Sequence, residues 1–205
     1  MDIAGGTGKL TRLLVATGAT VVAVEPVVGM RERLAAALPD VELLDGLAEE
    51  IPLENASVDA ATVGQAFHWF DGDRALAEIH RITRDGSRLA VVYNRRLLDH
   101  PLQAALEAIV QPLRAQTPAH RSGQWREAFG RTRLWAPVEE AELAHVQLLD
   151  RRGVDARVAS TSFIATLPTD GREEVLGRVR ALVKNRPEPI ELPYICELFV
   201  WQRLA

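Results

Sequence analysis

Cysteine is almost absent from this chain. Cys196 stands alone among 205 residues, so no internal disulfide can form and a disulfide-stapled fold is excluded. Long apolar runs are missing too: the best candidates, such as Val21–Val24 and Leu89–Tyr93, are strand-sized, far below the roughly 20 residues that span a bilayer. No membrane partner is expected. Positive charge is in short supply, with 24 basic residues against 28 acidic ones for a net charge of -4. That leaves no basic footprint for a phosphate backbone and disfavours nucleic acid as the main partner. Metal-ligand spacing is lacking: His68, His80, His100, His120 and His145 are scattered, no His-x-x-x-His or Cys-x-x-Cys pair exists, and no metal is expected. Lys9 and Lys184 are the only lysines beside 22 arginines, a base-composition bias that carries no functional signal. The opening MDIAGGTGKL has neither the basic start nor the long apolar stretch of a signal peptide, which makes the cytoplasm the expected location.

What is present suits one soluble globular domain, with 47% hydrophobic and 25% charged residues. The first half alternates short β-branched runs with helical patterns, the signature of an α/β fold with a parallel sheet covered on both faces. Helices are expected at Lys9–Thr17, Met30–Leu38 and Asp73–Thr83. Strands are expected at Thr20–Glu25, Val41–Leu44, Ser57–Gly64 and, after a turn at Asp85-Gly86, Arg88–Tyr93. Ser57–Gly64 is apolar nearly throughout and reads as buried on both faces. Beyond Tyr93 the rhythm changes. Leu102–Leu113 and Arg172–Lys184 look helical, Gln116–Ser122 loop-like, Leu143–Leu149 strand-like, and Leu192–Gln202 is a closing strand with Pro193 near its start. The division is residues 1–94 for the βα units and 95–205 for the remainder, within one domain.

The opening Asp2-Ile3-Ala4-Gly5-Gly6-Thr7-Gly8 leads into a helix, so its backbone amides can face an anionic or polar ligand group. A Walker A loop is excluded because Ile3 stands where its first glycine belongs and Leu10 follows Lys9. A dinucleotide fingerprint is weak, since its third position falls on Thr11. A third pattern fits better: an acid, a spaced Gly-x-Gly, and a second acid closing the next strand, here Asp2, Gly6, Gly8 and Glu25. A carboxylate at a strand tip can accept both hydroxyls of a ribose, a device NAD sites also use.

These residues resemble the class I S-adenosylmethionine-dependent methyltransferases. The run Asp45-Gly46-Leu47-Ala48-Glu49-Glu50-Ile51-Pro52-Leu53, then Ser57-Val58-Asp59 and Gly64-Gln65-Ala66-Phe67-His68-Trp69-Phe70, resembles their type 11 branch and, within it, trans-aconitate-methyltransferase-like enzymes. Trp125, Ser160-Thr161-Ser162-Phe163-Ile164 and Glu191-Leu192-Pro193-Tyr194 look similar to that branch as well. The resemblance implies a Rossmann-like sheet with S-adenosyl-L-methionine as cofactor and a small-molecule acceptor, a carboxylate or hydroxyl. It further implies that Asp2, Ala4, Gly5, Gly6 and Gly8 form the turn at the methionine end and that Glu25 holds the ribose. Pro26 and Met30 would pack on one side of the adenine, Leu47 and Ala48 on the other, with Gln65 beside the sulfonium. Two positions depart from the pattern: Ala4 replaces the usual first glycine, and Leu47 stands where an aspartate often accepts the adenine amino group.

Class I methyltransferases usually carry a complete first strand and preceding helices ahead of the glycine turn. Here only the end of that strand is expected, with a gap of unpaired backbone groups beside it and a truncated start. Methyl transfer from a sulfonium is an in-line displacement in which positioning supplies much of the barrier reduction, so no acid or base is obligatory. His68 is the candidate general base or acceptor contact. Trp69 and Phe70 could wall the acceptor, Tyr93 ends the fifth strand where open sheets place ligands, and Trp125 falls in the variable region that would form a lid. Arg95 and Arg96 could clamp a carboxylate through the guanidinium fork. Two other readings stay open: a methyltransferase-like domain without cofactor binding, and an NAD-dependent oxidoreductase. Oligomeric state is not legible.

Overall fold

The computed structural model describes residues 1–114 and 122–205, so the expected loop at Gln116–Ser122 lies, up to position 121, outside the described residues. The strands are β1 Asp2–Ile3, β2 Val22–Val24, β3 Glu42–Leu44, β4 Val58–Gly64, β5 Thr83–Arg96, β6 Trp135–Leu149 and β7 Ile190–Arg203. They form a seven-stranded sheet in the order β3-β2-β1-β4-β5-β7-β6. The helices are α1 Thr11–Val15, α2 Val28–Ala37, α3 Gly72–Ile82, α4 Pro101–Val110, α5 Glu127–Arg131, α6 Arg151–Ala159, α7 Ser162–Ala165 and α8 Thr169–Val183. The fold is α/β, as its βα alternation implied, and Rossmann-like, as the family resemblance implied.

β1 pairs in parallel with β2 on one side and with β4 on the other, while β2 continues to β3 and β4 to β5. Strand order therefore reverses between β1 and β4. In open α/β sheets the crevice at the carboxyl ends of the strands beside such a reversal is where ligands bind. The first strand is short, as expected, but the gap beside it is partly filled. The Met1 ammonium donates to the Ala60 carbonyl at 2.7 Å, and the Met1 carbonyl accepts from the Thr62 amide at 2.8 Å. Because β1 reaches only Thr62 and Val63, the start of β4 has no strand on its β1 side and pairs with β5 alone. Asp59 and Ala60 are consequently exposed, against the expectation of a strand buried on both faces.

Helix α3 shows how sequence builds these elements. The Asp71 side chain accepts from the Arg74 amide and caps the helix, and Ala75, Leu76, Ile79 and Ile82 fall on one buried face at helical spacing. Each fully buried Leu or Ile contributes roughly 1.5–3 kcal/mol. Thr83 then enters β5 without a break. The expected turn at Asp85-Gly86 is absorbed as an irregularity, with Val58 facing Thr83 and Ala60 already facing Arg88. Gly86, at φ 75°, lets the strand bulge and continue. β6 starts at Trp135 rather than Leu143, and Pro193 lies inside β7, where its carbonyl accepts from the Leu97 amide and Gln103 Nε2. Helix α6 went unpredicted, although Asp150 caps it through the Gly153 amide at 2.6 Å.

The chain gathers into two compact units, one of residues 1–93, 122–141 and 197–205, the other of residues 94–114 and 142–196. The first has a core of Ile3, Val24, Val63, Leu76, Ile79, Leu89 and Val91 with Phe67, Tyr93 and Trp125. The second is built on Leu102, Leu106, Val154, Ile164, Val179 and Leu192.

Candidate functional site

The glycine turn sits at the carboxyl end of β1, beside the strand reversal. Ala4, Gly6 and Gly8 adopt positive φ of 54°, 58° and 81°, folding the chain tightly between β1 and α1. Gly5 is small for a packing reason: a Cβ there would meet Leu34 Cδ1 at 3.2 Å and Thr11 Oγ1 at 3.3 Å. Gly6 differs, since a Cβ there would meet nothing within 4 Å. Its outer face is open for a ligand to approach the backbone. Ala4 occupies the left-handed region without glycine's freedom, at a cost of roughly 1–2 kcal/mol.

Glu25 closes β2 and is only 3% exposed. Its Oε2 accepts from the Gly6 amide at 2.8 Å and its Oε1 from the Val27 amide at 2.9 Å. A carboxylate offers about four lone-pair sites, so about two remain beyond those the amides occupy. Asp2, also expected here, is turned inward: it is 1% exposed, with Oδ2 accepting from Thr11 Oγ1 at 2.6 Å and Oδ1 from Thr62 Oγ1 at 3.2 Å. It ties β1 to α1 and β4. Burial pushes its carboxyl above the usual aspartate range, against the opposing pull of those two hydroxyls.

Beyond Glu25 the surface turns apolar. Pro26, Val27, Val28 and Met30 at the start of α2 are exposed, as is Leu47 after β3, while Ala48 is buried. Leu47 lines an open groove of about 530 Å³ together with Gly46, Ile51 and Pro52 and the charged Asp45, Glu50, Glu78 and Arg81. Arg31, missed in the sequence, holds this region together. Its Nη1 donates to the Glu25 carbonyl at 2.7 Å, and its guanidinium grips Asp45 through two bonds of 3.0 and 2.9 Å. Residues 31 and 45 belong to no shared motif, so only the fold reveals the pair.

At the tip of β4, Gln65 is exposed and held at φ 61° while its amide donates to the Val92 carbonyl at 2.8 Å. A non-glycine residue in this region stores strain of about 1–3 kcal/mol, a pattern that clusters at ligand sites. His68 and Trp69 follow in a 3-10 turn anchored by Phe67, which is buried against Phe129 with ring centroids 4.8 Å apart. The His68 amide donates to the Tyr93 hydroxyl at 3.1 Å, and that hydroxyl lies 3.3 Å from His68 Nδ1. Tyr93 itself is fully buried, and burial pushes its phenol well above the usual range. Trp125, 8% exposed, packs on Tyr93 at 5.1 Å. Tyr93 and Trp125 thus lie behind the turn and Trp69, 49% exposed, in front of it. Arg95 lies in the second unit, where it pairs with Glu142 at 3.1 Å. Among the described residues no group of three or more His, Cys, Asp or Glu is placed to hold a metal ion, and no helix is long and apolar enough to cross a membrane.

Residues 1–91 match the methyltransferase domain family. The chain is 38% identical over 200 residues to an uncharacterized methyltransferase of Mycobacterium tuberculosis, spanning 95% of this chain and 79% of that protein. It is 30% identical over 197 residues to the malonyl-[acyl-carrier protein] O-methyltransferase of Methylococcus capsulatus, over 91% of this chain and 64% of that protein. Among solved structures, a protein described as a type II methyltransferase from Anaeromyxobacter dehalogenans superposes with a TM-score of 0.69 at 22% identity, over 97% of this chain and 87% of that one. Geranyl diphosphate C-methyltransferase from Streptomyces coelicolor A3(2), solved with S-adenosyl-L-homocysteine, gives 0.53 at 14% identity, over 99% and 70%. At these identities the structural likeness establishes the fold.

Proposed function

Since this chain belongs to the S-adenosylmethionine-dependent methyltransferases with a type 11 methyltransferase domain, we propose that it methylates an oxygen of a small carboxylic acid in the cytoplasm. The observation that carries the cofactor half of this reading is the buried Glu25 carboxylate, already oriented by two backbone amides and still able to accept hydroxyls. S-adenosyl-L-methionine supplies an electrophilic methyl group on a sulfonium. The residues present fit it: Glu25 for the ribose, the open face of Gly6 with Ala4 and Gly5 for the methionine end, and the exposed Pro26, Met30 and Leu47 with Ala48 for the adenine. Gln65 is assigned to the sulfonium side. Asp2 acts from behind, fixing the turn through Thr11. A non-catalytic domain and an NAD-dependent oxidoreductase are not favoured by the likenesses above.

For the acceptor, support comes from the trans-aconitate-methyltransferase-like run Gly64–Phe70 and from the relative whose name specifies O-methyl transfer. A carboxylate is already ionised at neutral pH, so the chain needs to orient it rather than deprotonate it. His68 is assigned that contact, with its ring held by the buried Tyr93 hydroxyl and Trp125 packed behind. Trp69 supplies an apolar wall. The test is incubation of the chain with methyl-labelled S-adenosylmethionine and a panel of di- and tricarboxylic acids. Label in a base-labile ester is expected; label only in alcohols or amines would overturn the assignment. His68→Ala should lower kcat by about tenfold to a hundredfold and leave S-adenosylhomocysteine affinity unchanged.

A further inference from the structure

The second unit gathers guanidinium groups that the reading above leaves unused. Arg96 ends β5, Arg114 follows the 3-10 turn after α4, and Arg157 lies in α6. Glu107 of α4 accepts from Arg96 Nη1 at 2.8 Å and from Arg114 Nη2 at 3.0 Å. Its side chain is 13% exposed, against 16% and 26% for the two arginines. One carboxylate thus serves two guanidiniums. The Nε of Arg114 is buried without a hydrogen-bond partner among the described residues, and so is the hydroxyl of Thr161. Arg157, half-buried, makes no ion pair among the described residues. An unused donor in a partly dry setting is costly unless an acceptor arrives to meet it.

We propose that Arg96, Arg114 and Arg157 form a binding site for a carboxylate group of a small organic acid. A guanidinium presents its donors as a flat fork that matches the two oxygens of a carboxylate. Two aromatic rings back the fork: Arg114 lies 5.4 Å from the ring centroid of Phe163, and Arg157 lies 5.8 Å from that of Tyr194. Flat apolar faces beside cations suit an acid with a carbon skeleton better than a bare inorganic anion. The limited exposure of Arg96 admits a small ligand rather than a protein surface. Burial lowers the Arg96 guanidinium below its usual range and the positive charge of Arg157 lowers it further, a repulsion that an incoming anion offsets. Phe163 and Tyr194 come from the two C-terminal stretches, Ser160–Ile164 and Glu191–Tyr194, to which the cofactor site assigned no part. Identifying the acid with the acceptor rests on the proposed function; the existence of the site does not.

The test is calorimetric titration of the full chain with citrate, with sulfate as inorganic control, and separately with S-adenosylhomocysteine. The wild-type chain is expected to bind citrate, and Arg157→Ala to bind it about tenfold or more weakly, with unchanged S-adenosylhomocysteine affinity. Glu107→Gln, which withdraws the internal competitor and keeps its shape, is expected to bind citrate more tightly. Absence of citrate binding by the wild type, equal affinity for sulfate, or unchanged affinity in Arg157→Ala would each overturn the site. Citrate binding without S-adenosylhomocysteine binding would instead count against the proposed function and leave the anion site standing.

Discussion

In the first unit, the polar groups of the proposed cofactor site are held largely by main chain. The amides of Gly6 and Val27 fix Glu25, positive-φ residues shape the turn beside it, and Gln65 is bound through its own amide. In the second unit, Arg96, Glu107, Arg114 and Arg157 come from separate stretches of chain and are oriented by side-chain bonds and aromatic faces. Backbone geometry is dictated over a few neighbouring residues, whereas a side-chain cluster depends on packing between distant elements. The first kind of site therefore leaves a motif, while the second leaves only scattered arginines.

The comparison breaks most visibly if the two sites are not independent. Glu25→Ala removes the proposed ribose acceptor and leaves the Gly6 and Val27 amides without their carboxylate partner. S-adenosylhomocysteine affinity should fall by about a hundredfold, by calorimetry, while citrate affinity stays unchanged. A parallel loss of both would mean that the units do not act separately.

A smaller effect sharpens the role of main chain over charge in the first unit. Asp2 is buried with a raised folded-state pKa, so its burial favours folding below the ordinary aspartate range and that contribution is lost as pH rises through the folded value. Asp2→Asn, which can still bond Thr11 and Thr62, should raise the Tm at pH 7 and change it less at pH 4. A Tm lowered most at neutral pH would show that the charge itself holds the turn. The smallest effect is at Ala4. Ala4→Gly relieves the positive φ but adds unfolded-state entropy, for a net gain of at most about 1 kcal/mol, or a Tm rise of about 2–4 °C in a thermal melt. A drop in Tm would mean that the alanine methyl packs usefully there.

Legibility followed the same division. Helix α3 was expected at Asp73–Thr83 and lies at Gly72–Ile82, because its cap and buried face are local signals. Helix α6 was hidden by Arg151-Arg152-Gly153, which breaks the apolar period, and β6 by the exposed residues Val138–Glu140 at its start. The turn written into Asp85-Gly86 was overridden because β5 keeps its pairing with β4 on both sides of the bulge. In the site, Gly6, Gly8 and Glu25 could be named from spacing, and Gly5 only through the family resemblance. The grip of Arg31 on Asp45 and the bond between His68 and Tyr93 could not, since each joins residues that meet only when strands and helices are assembled.

The first unit is proposed to hold a formed S-adenosylmethionine pocket anchored on Glu25. Calorimetric titration of the full chain with S-adenosylhomocysteine tests it most directly. Saturable binding at a single site per chain is expected; a flat titration with no upward shift of the thermal melt would overturn the pocket.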